Sequence, residues 1–197
     1  MAELEACLAE LSAHGEPNPE DPGTMDLIRE CMEQLGAIPG GAAALVRRYA
    51  GDERVAVIRP LAFILAGAVN ERGAAHALAG TVFAMLEQLR ISDPWPRLNL
   101  CTAVQRLLMF SAITTIDERA ATALVRLLHE SLASIPPVRA TAATVVADLH
   151  YGKHAVLPES DLAALRNELL ALVDDSDTLT RKEARGLREF LVDPANA

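Results

Sequence analysis

The sequence has few aromatic residues, few lysines and no long uninterrupted apolar segment. Aromatic side chains make up 4% of its 197 residues, and only two of its 18 basic residues are lysines. The most apolar stretch, residues 52–69, contains Arg59 and Pro60. It is too short and too interrupted for a transmembrane helix, which needs about 20 apolar residues. We therefore expect no contact with a membrane. The preference for arginine over lysine is typical of a high-GC bacterial genome.

Cysteine is also scarce. Cys7, Cys31 and Cys101 lie far apart, and their spacing matches no zinc or redox motif. The first residues, MAELEACLAELSAHGE, are acidic and lack the basic segment of a signal peptide. Together these features favour the reducing cytoplasm.

The chain has fewer basic than acidic residues, and its net charge varies along the sequence. The formal net charge is −9, with −8 in residues 1–33, +3 in residues 34–157 and −4 in residues 158–197. An acidic chain is a poor nucleic-acid binder, because phosphate contacts supply most of that affinity. We expect the partner to be another protein or a peptide, and to be basic, since the acidic N-terminal segment would then speed association. Alternatively, that segment is only a soluble cap.

Helix-forming residues dominate. Ala and Leu make up about a third of the chain, and no Asn-Gly or Asp-Gly hairpin signal occurs. Thr115 with Glu118, and Thr180 with Glu183, have the spacing of capping boxes. The segment 15–23 is the one long break and is expected to be mobile. The pattern predicts ten helices, over residues 2–14, 24–36, 41–50, 52–69, 73–90, 95–112, 116–134, 137–151, 160–174 and 180–192.

Alternate helices share a repeat of about 42 residues, which is long enough for two helices and their connections. Its anchors are four arginines at nearly constant spacing along the sequence: Arg54, Arg97, Arg139 and Arg181. Ten positions after each arginine comes an aliphatic residue, namely Ile64, Leu107, Leu149 and Leu191. We expect Leu107 and Leu149 to be buried between repeats. The arginines are expected to link adjacent repeats through carboxylates or helix ends.

A repeat of this length with two helices resembles the HEAT repeats of the α-solenoid class. The best match is IPPVRATAATVVADL, residues 135–149. The resemblance covers residues 41–192 and implies an all-α fold, a short right-handed α-solenoid of about five antiparallel helical hairpins. The whole chain, 1–197, would form one domain, with residues 1–37 as a divergent acidic cap hairpin. An irregular α-helical bundle is the alternative.

A solenoid also explains the apolar stretch 52–69. A helix of an interior repeat packs on its own partner and on both neighbouring repeats, so its apolar face is wide. We therefore expect residues 52–69 to be the most buried inner helix, kinked by Pro60.

The residues needed for catalysis are missing from the motifs that we can identify. His150 and His154 have a metal-ligand spacing, but Gly152 interrupts the helix between them. His129-Glu130 is a single His-Glu pair, whereas HEAT-like deoxyhypusine hydroxylases hold two irons with several. HEAT-like DNA glycosylases are basic, and this chain is acidic. We expect no enzyme activity, metal or cofactor; the alternative is a nucleic-acid-processing or metal-dependent enzyme on the same scaffold.

Polar residues of the second helix of each repeat share one face. Asn99, Thr102 and Arg106 recur one repeat later as Thr141, Thr144 and Asp148. Solenoids bind extended peptides or folded partners with such surfaces. We therefore predict a non-catalytic interaction module, acting as a scaffold, adaptor, regulator or immunity-type partner; a merely solvated face is the alternative. The candidate partner-binding residues are Arg59, Asn99, Thr102, Arg106, Thr141, Thr144, Asp148, Tyr151 and Glu183.

Overall fold

The structure is a computed structural model. It describes residues 55–70, 72–88, 93–152 and 156–192, and five isolated helical positions, Ala6, Ala9, Gly23, Asp26 and Glu30. The helices predicted over 2–14, 24–36 and 41–50, the break at 15–23 and the cap hairpin at 1–37 lie outside the continuous described ranges.

From residue 55 onward the described residues form seven α-helices and no strand, which confirms the all-α class for this part of the chain. Each helix coincides with a predicted one, and the largest differences are at the C-terminal ends of the third and sixth. The helices are α1 (Val55–Ala68), α2 (Arg72–Gln88), α3 (Pro94–Met109), α4 (Glu118–Leu132), α5 (Pro136–Tyr151), α6 (Glu159–Leu170) and α7 (Thr178–Val192).

The helices form two layers. In one layer α1, α3, α5 and α7 contact one another in succession; in the other α2, α4 and α6 do the same. Each helix also contacts its neighbour in sequence, which lies in the opposite layer. We call these the odd layer and the even layer. An interior odd helix is therefore covered on both sides and from behind, and only one stripe of it faces solvent.

The helix starts repeat in the odd layer. α3, α5 and α7 begin at Pro94, Pro136 and Thr178, so that successive starts are evenly spaced by one repeat length. Pro94 and Pro136 occupy the first turn, where a missing N–H costs nothing. The even helices α2, α4 and α6 begin at Arg72, Glu118 and Glu159, which is a looser spacing.

Asp117 caps α4 and Asp177 caps α7, so both predicted capping boxes are wrong. The Asp117 carboxylate accepts from the Ala120 N–H at 2.9 Å, and the Asp177 carboxylate accepts from the Thr180 N–H at 2.7 Å. Both aspartates directly precede the first helical residue, so their short side chains reach the free N–H groups of the first turn. Thr180 lies inside α7 and does not cap it.

α3 ends earlier than predicted because Ser111 adopts a left-handed conformation, with φ 52°. Its N–H donates to the Leu108 carbonyl, and the Ala112 N–H donates to the Leu107 carbonyl. This pair of bonds is a Schellman motif, which satisfies the last carbonyls of a helix and turns the chain away.

The repeat positions form the core. Ile64, Leu107 and Leu149 are buried, as are Val82, Leu124 and Leu165 of the even helices. Leu191 is exposed, because no further described helix packs against the outer side of α7. Of the apolar stretch 52–69, the described side chains from 61 onward are mostly buried.

The repeated arginines join the layers. Arg97 pairs with Glu130 of α4 at 2.8 Å, and Arg139 pairs with Asp175, beyond the end of α6, at 3.2 Å. Arg181 donates to the Asp175 carbonyl at 2.6 Å. The contacts of Arg97 and Arg139 fit the expected link between adjacent repeats through carboxylates. The Arg181 contact lies within its own repeat, and Arg54 lies outside the described residues.

Candidate functional site

The candidate site is the solvent-facing stripe of the odd layer. Asn99, Thr102 and Arg106 lie on α3 and are half-buried. Thr141, Thr144 and Asp148 lie on α5 and are half-buried, whereas Tyr151 at its end is exposed. Glu183 lies half-buried on α7. Arg59 belongs to α1, but its side chain is outside the described part of the molecule.

The three threonines of this stripe use their hydroxyl hydrogens within their own helices. Thr102 donates to the Leu98 carbonyl at 2.9 Å, Thr141 to Pro137 at 3.0 Å and Thr144 to Ala140 at 3.2 Å. A hydroxyl bonded to the carbonyl four residues earlier can still accept, but it has no hydrogen left to donate. The stripe is therefore less polar than its sequence indicates.

Arg106 also has a partner within the chain. Its guanidinium donates to the carbonyl of Ala66, in the last turn of α1. The even layer has a matching contact, from Arg126 to the Leu86 carbonyl at 2.9 Å near the end of α2. Since the last carbonyls of a helix lack intrahelical donors, both arginines stabilise the preceding helix of their layer.

Two grooves cross the stripe. The first, the Asp148 groove, has a volume of about 460 Å³ and lies between Gln105, Leu108 and Met109 of α3 and Asp148, Leu149 and Tyr151 of α5. The second, the Pro137 groove, has a volume of about 520 Å³. Its walls include Leu98, Gln105, Pro137, Thr144, Asp177 and Leu179. Gln105 lines both grooves, so they adjoin.

Asp148 of α5 lines the Asp148 groove, and Glu183 lies on the adjacent helix α7. Burial raises the pKa of Asp148 above its ordinary value, and the negative charge of Glu183 raises it further, whereas a hydrogen bond with Gln105 lowers it. Burial also raises the pKa of Tyr151, and the charges of Glu183, Asp148 and Glu189 add to this. The structure therefore brings Asp148, Tyr151 and Glu183 together into one acidic region.

Tyr151 connects α5 to α7. Its ring meets that of Phe190 edge to face, with centroids 4.9 Å apart and the planes at 71°. Its hydroxyl lies over Gly186, so that a methyl group added there would be 3.3 Å from it. Gly186 occupies the repeat position of Thr102 and Thr144, and the missing side chain leaves room for the tyrosine.

The repeat pattern does not predict every residue of the site. Gln105 is outside the predicted stripe, and its counterpart one repeat later is the apolar Ala147, so no polar residue recurs at this position. Met109 and Leu179 are 65% and 59% exposed. The helical spacing places Met109 on the same face as Asn99, Thr102 and Arg106, whereas Leu179, a single hydrophobic residue, carries no sequence signal of a surface position.

The polar residues considered for chemistry have other partners. His129 pairs with Glu168 at 2.8 Å, and Glu130 pairs with Arg97. His150 lies near the Leu162 carbonyl, and burial lowers its pKa. Burial raises the pKa of the Cys101 thiol to about 12, so this thiol stays protonated at neutral pH.

Among the described residues, no group of three or more His, Cys, Asp or Glu side chains is arranged to hold a metal ion. Within the same ranges, every helix is too short or too polar to cross a membrane.

Comparison of the chain with known protein families, curated proteins and solved structures finds no match. Functional inference therefore depends on the geometry of the stripe and the two grooves.

Proposed function

We propose that this chain is a short right-handed α-solenoid of HEAT-like repeats and acts as a non-catalytic protein-binding module in the cytoplasm. Three features support the architecture: the two layers, the regular interval between the starts of α3, α5 and α7, and the arginine that recurs in these three helices. Contacts between successive odd helices are more extensive than those between successive even helices. Closer spacing is expected on the inner side of a curved array, so the odd layer would be concave.

The observation that carries the functional proposal is the continuity of the uncovered stripe. The Asp148 groove and the Pro137 groove adjoin at Gln105, and their walls come from consecutive odd helices. A surface that runs across repeats can follow an extended segment or the edge of a folded partner. Scaffold, adaptor, regulator and immunity-type roles all need such a surface.

Site-specific photo-crosslinking in the native cell tests this proposal. The photoreactive residue p-benzoylphenylalanine would replace Thr144 in the odd layer or, as a control, Thr122 in the even layer. The two threonines are matched, because each is helical and donates its hydroxyl hydrogen to the carbonyl four residues earlier. We expect a discrete protein adduct from position 144 and none from position 122. Equal adducts from both positions, or none from position 144, would contradict the proposal.

A further inference from the structure

We infer that the occupant of the odd-layer grooves is an extended basic segment of a partner protein. A lysine or arginine side chain of that segment lies beside Asp148 and Glu183, and a neighbouring apolar side chain fills the Pro137 groove. This inference rests on the proposed function and names the chemical class of the partner.

The first argument is the sign of the charge. Asp148 lines one groove and Asp177 lines the other, and all charged residues among the described walls of the two grooves are acidic. Glu183, on the adjacent helix α7, adds a second negative charge that acts on Asp148. Two like charges in a half-buried position repel each other. A cation between them would interact favourably with both and remove that repulsion, which favours a basic occupant over a neutral one.

The second argument is the apolar surface beside those carboxylates. Met109 is highly exposed, and both Met109 and Tyr151 line the Asp148 groove. Lysine and arginine side chains bury their methylene groups against apolar surface while their charged ends stay near water or a carboxylate. An aromatic ring adds a favourable cation–π contact. The groove therefore matches both parts of a long basic side chain.

The third argument comes from the Pro137 groove. Leu98, Pro137 and Leu179 give it apolar walls, and Gln105 connects it to the Asp148 groove. The threonine hydroxyls of the stripe can accept a hydrogen bond, but their hydrogens are already donated within their own helices. An apolar side chain close to the basic one in the partner would cover this surface without leaving a donor unsatisfied.

Charge also argues against the other candidate occupants. A second copy of this chain has a net charge of −9, and residues 1–33 have a net charge of −8. Each would bring negative charge to a negative groove, and like charges at an interface suppress association. A basic segment of another protein is the occupant whose charge complements the site.

Selection from a phage-displayed library of random dodecapeptides on the full-length chain tests this inference. We expect the selected peptides to be enriched in Lys or Arg with an apolar residue nearby. Their synthetic forms should bind the double variant Asp148→Asn/Glu183→Gln at least about tenfold more weakly, since a hydrogen bond to a charged group is worth about 1.5–3 kcal/mol. The matched control is Glu118→Gln/Glu168→Gln in the even layer, which should bind like the wild type. Thermal unfolding would verify that both variants fold.

Several outcomes would overturn the inference. Peptides without basic enrichment, failure to select any peptide, or equal binding to the odd-layer double variant would each do so. A wild-type chain that sediments as a dimer, with a monomeric double variant, would assign the groove to a second copy. If the peptide experiment fails but position 144 still forms a protein adduct, the proposed function stands and only the basic occupant is rejected. If position 144 forms no adduct, both the proposed function and the basic occupant are rejected.

Discussion

The two helical layers treat their polar side chains in different ways. On α4 of the even layer, polar side chains have partners within the chain: His129 contacts Glu168, and Glu130 forms an ion pair with Arg97 of α3. In the odd layer, like charges meet at Asp148 and Glu183, beside exposed apolar side chains such as Met109. These polar residues of α4 thus have partners within the chain, whereas the odd layer has a carboxylate beside exposed apolar area that a partner can use.

The two layers also differ in how apolar residues are distributed around their helices. α4 is strongly amphipathic, with one apolar face on the core and a wide polar face. α5 is apolar nearly all round, because α3, α7 and the even layer cover most of it. Only a narrow stripe of α5 is free to vary without loss of core packing. Residues of that stripe which do not serve stability are therefore the best candidates for function.

The largest effect is expected from Leu149→Ala in α5. Leu149 is 3% exposed, and its removal should lower the free energy of unfolding by about 2–5 kcal/mol through lost burial and a remaining cavity. Leu191→Ala, at the same repeat position in α7, is the control. Leu191 is 41% exposed, so its loss should cost about 0.5 kcal/mol or less. Urea denaturation measures both, and equal losses would show that the repeat register is wrong.

The next effect compares two adjacent aspartates that follow α6. The Asp175 side chain is 11% exposed and binds both Arg139 and the Asp177 N–H. Asp175→Ala would leave a mostly buried arginine without this carboxylate, and we expect a loss of about 1–3 kcal/mol. Asp174 is 87% exposed and pairs with Arg185. Asp174→Ala should cost less than about 0.5 kcal/mol, as exposed ion pairs do. A similar loss in both variants would contradict the link between layers.

A smaller change in stability is expected from substituting two helical glycines, one in each layer. An added methyl group at Gly80 in α2 meets nothing within 4 Å, so Gly80→Ala should stabilise the protein by about 0.5–1 kcal/mol through helix propensity. At Gly186 in α7 the same methyl group lies 3.3 Å from the Tyr151 hydroxyl, which must shift. Gly186→Ala should therefore stabilise less than Gly80→Ala in thermal unfolding. Equal gains would show that Tyr151 does not pack over Gly186.

The smallest effect is the pH dependence of stability at Asp148. Its pKa is raised above the ordinary 3.8, so the folded state disfavours the carboxylate, and this penalty appears as pH rises through the raised pKa. Asp148→Asn removes it, so the variant should be slightly more stable than the wild type at pH 7, by less than about 1 kcal/mol, with the gain vanishing below pH 3.8.

Asp177 provides the opposite sign as a control for Asp148. The N–H of Thr180 holds the pKa of Asp177 below its ordinary value, so its stabilisation is present at neutral pH and is lost as pH falls through that lowered pKa. Asp177→Asn should therefore destabilise at pH 7. Chemical denaturation across a pH series measures both variants, and a destabilising Asp148→Asn at pH 7 would contradict a raised Asp148 pKa from burial and from the charge of Glu183.

For the described residues from 55 onward, the sequence by itself determined the helical class and the approximate helix ranges, and it carries the 42-residue repeat. Helix propensity and the regular recurrence of arginines and leucines depend on residue order alone, and Leu107 and Leu149 are buried as that order predicts. The helix caps were predicted incorrectly, because Asp117 and Asp177 lie close enough to the starts of α4 and α7 to cap them in place of the predicted threonine boxes.

Only the tertiary structure decided which stripe residues are available to a partner. Arg106 is held by the carbonyl of Ala66 on the preceding odd helix, and Asp148 meets Gln105 and Glu183 from the helices on either side. Such contacts depend on how far each helix is rotated against its neighbours, which a repeat register does not specify. The repeat located the stripe, but the packing of α3, α5 and α7 selected Gln105, Asp148, Tyr151 and Glu183 from it.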